Sequence, residues 1–242
     1  NPIMRDGVLR YFNAENEEAH IPITRVQIEQ DTAKTINHEG KSLIDYNRSG
    51  MPLLEIVTDA QYFENPEDCK LLVREMQELL SRCKISEAKI EKGQLRVDVN
   101  ISVWDPNNEG VSTPRVEIKN VAGAKNVERC IEYELKRHVD ILEAGRQEQM
   151  NSETRRYDAS EGKTILMREK TEDPDYRFFQ DPDLPNIEID VTRIDLCQQM
   201  LPELPFKQKK RYSLKYNLDV SDVNIIFKNE WILPLFRKLV KQ

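Results

Sequence analysis

Gln94 to Asn120 reads QLRVDVNISVWDPNNEGVSTPRVEIKN. Leu95, Val97, Val99, Ile101 and Val103 alternate with Arg96, Asp98, Asn100 and Ser102. A period of two is that of a half-buried strand, because successive side chains point to opposite faces. Val116 and Ile118 alternate in the same way with Arg115, Glu117 and Lys119, and the Asp-Pro, Asn-Asn and Gly steps between the two runs mark a loop. Once paired, such strands have one aliphatic face. The other face presents Arg96, Asp98, Asn100, Glu117, Lys119 and Asn120 together. Two readings of that polar face stand open: a solvated sheet surface, or a site where carboxylates hold a divalent cation while Arg and Lys hold phosphate.

Upstream, residues 7–46 divide into short strand-like runs, GVLRYF, IPITRVQIEQD and SLIDYN, separated by polar turns. In TRVQIEQD, Arg25, Gln27 and Glu29 share one face, and Asp31 is expected to follow them. PLLEIV at 52–57 is an apolar strand interrupted by Glu55, which must lie at an edge or be paired, since an unpaired buried charge is costly. Asn65-Pro66-Glu67-Asp68 is a helix start: a capping side chain, a first-turn proline and acids near the positive end of the dipole. Cys69, Leu72, Met76, Leu79, Leu80 and Cys83 then recur at helical spacing. Downstream, 126–144 reads as a second helix with Val127, Ile131, Leu135, Val139 and Leu142 inward and Gly145 as its stop. His138 neighbours that stripe and is expected to be packed rather than metal-bound. Residues 147–170 read as a hairpin turning at 159–163. Strands joined mainly by hairpins, with interspersed helices, predict an α+β fold: an antiparallel sheet with helices packed on it. The stretch EDPDYRFFQDPDLPNIEI is loop-like, its aromatics Tyr176, Phe178 and Phe179 being placed to anchor it to the core or over a site. From Val191 the chain turns to Lys-rich helical spacing without strands, so a domain boundary is expected near 190.

Composition narrows the function. The 242 residues carry a formal net charge of −7, which disfavours a general nucleic-acid-binding surface. No apolar run approaches the roughly 18 residues that a membrane span needs. Cys69, Cys83, Cys130 and Cys197 form no C-x-x-C pair, and Cys69 and Cys83 lie about 21 Å apart along one helix, too far to bridge. A reducing compartment follows. There is no G-x-x-x-x-G-K-[ST] and no G-x-G-x-x-G. A nucleotide would therefore be held by carboxylate-bound Mg²⁺ with Arg and Lys on the phosphates.

Ordered blocks carry a resemblance. They are ITRVQIEQD-x-x-K ending at Lys34, DYNRSGMPLLEIV (45–57), KGQLRVDVNIS (92–102), VEIKN (116–120), ETRRYD (153–158), TILMREK (164–170) and DYRFFQDPDLP (175–185). Together these stretches resemble the B subunit of the glutamyl-tRNA(Gln)/aspartyl-tRNA(Asn) amidotransferases. The resemblance implies a glutamine-synthetase-like cradle over 1–190 and the start of a helical linker over 191–242. It implies ATP- and Mg²⁺-dependent phosphorylation of the side-chain carboxylate of Glu on misacylated Glu-tRNA(Gln). Ammonia channelled from a partner amidase subunit then gives Gln-tRNA(Gln), with a small accessory third subunit completing the complex. By matching position, Glu29, Asp98, Glu117 and Glu153 are the implied catalytic and metal-binding carboxylates. Arg96, Lys119, Arg155, Arg168 and Lys170 are candidates for phosphate or substrate contacts, and Glu29 with Lys34 faces the implied ammonia-tunnel exit.

Departures from the family pattern also count. Gln27-Ile28-Glu29-Gln30-Asp31-Thr32-Ala33-Lys34 stands where the family usually has His-Leu-Glu-Glu-Asp-Ala-Gly-Lys, so one acid is the amide Gln30. Val97 replaces a Cys, and Phe178-Phe179-Gln180 replaces Tyr-Phe-Pro. This divergence suggests a mitochondrial-matrix member. The family's N-terminal Glu-x-His strand and its C-terminal tRNA-binding tail are not in this sequence, so this segment alone is expected to be inactive. The alternative is a non-catalytic scaffold with an eroded site that binds tRNA or partner subunits. A stand-alone small-molecule ATP ligase is a third possibility.

Overall fold

Alternating runs become strands and 3.6-spaced runs become helices in the computed structural model, which describes residues 2–108, 110–169, 188–229 and 231–240. β1 (Met4–Phe12) and β2 (Glu18–Gln30) form a hairpin, and β5 (Pro52–Thr58) pairs antiparallel on the other side of β2. β3 (Lys34–His38) and β4 (Lys41–Asp45) make a separate two-stranded ribbon. Its two turn residues, Glu39 and Gly40, both have positive φ, 49° and 73°, the backbone that matches the right-handed twist of a two-residue hairpin.

α1 (Pro66–Arg82) starts where the sequence places it, with the Asn65 side chain accepting from the Glu67 amide at 2.9 Å. In its first turn, Asp68 accepts the Ala14 amide at 2.8 Å and ties the helix to the β1–β2 turn. The apolar stripe of α1 serves two cores. Cys69 and Val73 pack against Val116, Ile118, Val121 and Val127, whereas Leu72, Met76 and Leu79 pack against Leu9, Ile21, Ile23 and Val26. Each such aliphatic side chain, fully buried, contributes about 1.5–3 kcal/mol. α1 is thus the wedge between two sheets.

The second sheet has the order β6 (Val97–Ile101), β7 (Val116–Val121), β8 (Glu153–Asp158), β9 (Lys163–Glu169). β6–β7 and β8–β9 are antiparallel as expected, but β7 and β8 are parallel. The expectation of an antiparallel sheet is corrected to a mixed one. The cause is α2 (Ala124–Glu143), a 20-residue helix that carries the chain back along the sheet before β8 begins, as a parallel pair requires. The α+β class stands.

α2 also differs from its predicted face. Leu135, expected inward, is exposed, and the buried positions are Ala124, Val127, Cys130, Glu134 and His138. Two polar residues occupy the stripe because the sheet and its loop supply partners for them. Val127 and Ile131 do pack against the sheet core as the apolar pattern predicts, but that pattern alone misses the two polar positions.

After Glu188, all described secondary structure is helical: α3 (Val191–Met200), α4 (Pro205–Tyr216), α5 (Val220–Lys228) and α6 (Ile232–Leu239). α4–α6 enclose a small core of Tyr212, Val223, Phe227 and Leu233. α4 docks on α1 and β1. The Lys209 ammonium, almost fully buried, reaches Glu75 at 2.6 Å and Glu78 at 2.7 Å, Arg82 donates to Gln208 at 3.1 Å, and Phe206 stacks on Phe12 with centroids 5.0 Å apart. No helix among the described residues is long and apolar enough to cross a membrane.

Candidate functional site

The polar face of β6–β7 forms as its alternation predicts, with one adjustment. Asn100 pairs with Glu117 and Val99 with Ile118, but the register then shifts so that Val97 pairs with Val121. Asn120, at φ 53°, supplies the extra residue, a left-handed conformation that Asn tolerates better than most side chains. The bulge presents the Asn120 amide to Asp98 Oδ1 at 2.8 Å. It also brings Lys119 Nζ between two carboxylates, 2.7 Å from Glu117 and 3.4 Å from Asp98. The hydrogen bond to Glu117, with Asp98 beside it, holds the Lys119 ammonium above its ordinary pKa. Asp98, Glu117 and Lys119 thus form one cluster at the sheet surface, carrying both charge signs.

Arg96 does not join that cluster. It lies just before β6, and its guanidinium turns to Asp31 at 3.4 Å, where Arg48 also binds at 3.0 Å. Asp31 lies past the end of β2, off the strand face expected for it. Glu29 sits on β2 in the other sheet, accepting a 2.9 Å bond from Gln27. Gln27 pairs directly with Glu55 on β5, so Glu29, Gln27 and Glu55 share one face. Glu55 is paired, as its place in an apolar run requires, with Arg25 at 3.6 Å. Lys34 begins β3 opposite Asp45 and is exposed.

Glu153 and Arg155 belong to a third grouping, largely inside the protein. Arg155 Nη1 donates to Glu153 Oε2 at 2.6 Å, and Arg137 on α2 donates to the same oxygen at 3.1 Å. Arg155 directs its other donors to Thr164, to Oγ1 at 2.8 Å and to the carbonyl at 3.1 Å. Arg155 is therefore committed within the fold, and its role as a phosphate contact finds no support in this geometry. Beneath the pair lies Glu134, wholly buried, which accepts two bonds from Arg137 at 3.0 and 2.8 Å and one from Thr164 Oγ1. Burial pushes the Glu134 carboxyl up, but the adjacent His138 imidazole and the bonds from Arg137 and Thr164 outweigh it and bring the pKa down to about 2. His138 Nε2 lies 3.2 Å from Glu134, off the line of a straight hydrogen bond. His138 Nδ1 is 2.6 Å from Thr113 Oγ1 in the β6–β7 connection. His138 is packed, as expected, but Glu134, Arg137 and Thr164 escaped sequence reading. The available signal was an acid and a histidine four residues apart on an otherwise apolar helix face.

Of the remaining candidates, Arg168 is exposed on β9 opposite Thr154, while Lys170 and the aromatics Tyr176, Phe178 and Phe179 lie outside the described residues. Burial pushes the Cys69 and Cys130 thiols up to about 12, which leaves them unreactive at neutral pH. The implied four-carboxylate metal set is not assembled: among the described residues no three His, Cys, Asp or Glu side chains converge as cation ligands. Asp98 and Glu117 do converge, on Lys119. Two carboxylates suit Mg²⁺, which keeps several waters and takes one or two protein oxygens beside substrate phosphates.

A family model described as the GatB/GatE catalytic domain matches residues 1–195. The chain belongs to that family. It is 35% identical over 99% of its length to the B subunit of the mitochondrial glutamyl-tRNA(Gln) amidotransferase of Naegleria gruberi, covering 47% of that protein. It is 37% identical over 99% of its length to the protein of the same description from Dictyostelium discoideum, covering 44% of it. It is 35% identical over its full length to the B subunit of the aspartyl/glutamyl-tRNA(Asn/Gln) amidotransferase of a Wolbachia strain from Drosophila simulans, covering 50%. The chain spans about half the length of the curated relatives it matches. The matched GatB/GatE region includes Asp98, Glu117, Lys119 and the buried Glu134 network.

Proposed function

We propose that this chain is the ATP-dependent carboxylate-activating part of a tRNA-dependent amidotransferase. In this reading it phosphorylates the side-chain carboxylate of Glu on misacylated Glu-tRNA(Gln). The observation that carries it is the Asp98–Lys119–Glu117 cluster in a chain of this family. The reaction joins a carboxylate oxygen to the γ-phosphorus of ATP and breaks the bond to the ADP oxygen. Ammonia then attacks the acyl carbon, phosphate leaves, and the ammonium proton passes to solvent. Mg²⁺, held by Asp98 and Glu117, would neutralise charge on the triphosphate. Lys119 is the cation of this chain best placed to meet a transferring phosphoryl group, where fixed positive charge is worth most. Glu29 on the β2–β5 face, with Lys34 beyond it, is assigned to the ammonia path.

The rest of the assembly follows the same reading: an amidase subunit supplies ammonia, a small third subunit stabilises the complex, and the misacylated tRNA is the substrate. Residues 1–190 form the cradle and 191–242 begin a helical linker. The departures at Gln30, Val97 and Gln180, with similarity to mitochondrial relatives, favour the mitochondrial matrix.

The test is glutamine-dependent amidation of Glu-tRNA(Gln) by the full-length protein with its partner subunits. Glu117→Gln and Asp98→Asn should each lower kcat about 10²-fold, the scale for removing one preorganised electrostatic contact. A scaffold without catalytic function is the second reading, favoured by Gln30 and by the carboxylates that do not converge. Unchanged turnover in both variants would establish it.

A further inference from the structure

A second cationic centre begins two residues before Asp98, and one of its two arginines, Arg48, is not a sequence candidate. Asp31, just past β2, is held at both backbone groups by the turn that precedes β5. Its amide donates to the Met51 carbonyl at 2.9 Å, and its carbonyl accepts the Gly50 amide at 3.0 Å. The same turn carries Arg48. Arg48 Nε reaches Asp31 Oδ2 at 3.0 Å, and Arg96 Nη2 approaches that oxygen at 3.4 Å. The Asp31 side chain is only 15% exposed, whereas those of Arg48 and Arg96 are 44% and 50% exposed. Asp31 is thus an anchor beneath two outward-facing guanidiniums. Gly93 makes room for them. It has a left-handed φ of 65°, and a Cβ there would stand 3.0 Å from Arg48 Nη1, so a larger residue would be strained and would crowd the guanidinium.

One carboxylate offsets only one of the two cations, so the centre keeps a surplus positive charge. Gln30, the neighbour of Asp31, is an amide and adds no second anion. A guanidinium offers five N–H donors in a fixed fork. Among the described residues, Arg48 Nη2 and Arg96 Nε and Nη1 meet no acceptor. At about 3.3 Å per residue of extended chain, Arg96 stands about 6.6 Å along the same face from Asp98. An anion that fills both forks and also reaches the Asp98–Glu117 pair needs several oxygens spread over that distance, as a polyphosphate has and a single carboxylate has not. We propose that Arg48 and Arg96, set in place by Asp31, form a two-guanidinium site for the phosphates of the nucleotide, with Arg48 as a nucleotide-binding residue. Arginine–phosphate bonds are charge-assisted and bidentate, and side chains already anchored lose little freedom when the ligand arrives. The proposal rests on the reading that Mg²⁺ and ATP act at Asp98 and Glu117.

The experiment uses the full-length protein in its assembled amidotransferase. Equilibrium dialysis gives the Kd of Mg·ATP, and steady-state amidation gives KM for ATP and for Glu-tRNA(Gln). Arg48→Gln and Arg96→Gln should each raise the Kd and KM for ATP about tenfold, the scale of one charge-assisted contact, with KM for the tRNA unchanged. Arg48→Lys keeps the charge without the fork and should raise both about threefold; it decides the matter should Arg48→Gln fail to fold. Asp31→Asn separates a binding site from a mere tie between two parts of the fold. It removes an anion that competes with phosphate for the guanidiniums and should lower the Kd about threefold, the scale of a partly exposed charge pair. A tie would instead make Asp31→Asn weaken binding as the arginine variants do. That result, an unchanged Kd in the arginine variants, or a rise confined to KM for the tRNA would overturn the proposal. The expected pattern of ATP binding, with amidation unchanged in Asp98→Asn and Glu117→Gln, would keep the site and overturn the reading of the reaction.

Discussion

Replacing Lys209 with Met tests how the helical segment is fastened to the rest of the chain. Lys209 Nζ is the buried cation between Glu75 and Glu78, at 2.6 and 2.7 Å. Burial already pushes the Glu75 carboxyl above its ordinary 4.5, and Lys209 is the main opposing influence. Without the ammonium, Glu75 must remain as an uncompensated buried charge or take up a proton. Breaking a buried pair in this way costs about 3–5 kcal/mol, but protonation caps the loss. At pH 7, protonating a carboxyl of ordinary pKa costs about 3 kcal/mol, and each pH unit lower removes about 1.4 kcal/mol. A carboxyl whose pKa is higher in the folded than in the unfolded state binds more protons when folded, so its contribution to stability falls as pH rises. Lys209→Met should therefore lose about 3 kcal/mol at pH 7 and under about 1 kcal/mol at pH 5, relative to the parent at the same pH. Urea unfolding followed by tryptophan fluorescence measures this, with Trp104 before β7 and Trp231 before α6 reporting from the two ends. Adding Glu75→Gln to Lys209→Met should recover most of the loss at pH 7. An equal loss at both pH values, or a loss below about 1 kcal/mol at pH 7, would refute the reasoning.

Two further outcomes follow from local geometry. Asn65→Ala removes the side chain that accepts the Glu67 amide at the start of α1; it should cost about 1 kcal/mol, seen as a lower urea midpoint with unchanged slope. Glu134, held at about 2, contributes stability that is present above its unfolded pKa and lost as pH falls from about 4.5 toward 2. Over that window the parent should lose about 3 kcal/mol more than Glu134→Gln, measured by acid titration of the folded fraction.

The local levels of the fold were written in the sequence. Period-two alternation is a property of neighbouring residues, so the strands at 97–101 and 116–121 and their shared polar face could be read directly. The Asn65 cap needs four consecutive residues and no tertiary partner, and it formed as read. The family blocks likewise named Asp98, Glu117 and Lys119 before any geometry, and the bulge at Asn120 brought those three together. What local pattern could not fix was anything that depends on a distant partner. The parallel pairing of β7 with β8 depends on how α2 returns across the sheet. The buried face of α2 depends on Arg155 and Thr164 meeting Glu134, because a buried acid is tolerated only where donors from other elements reach it. Arg155, Arg96 and Glu153 look like free site residues in a linear reading, because their charges are visible and their partners are not. Only the tertiary structure shows Arg96 bound to Asp31, and Arg155 and Glu153 closed into a box with Arg137 and Glu134. The sequence by itself determined which residues carry charge and on which strand face; the folded chain decided which of those charges neutralise one another.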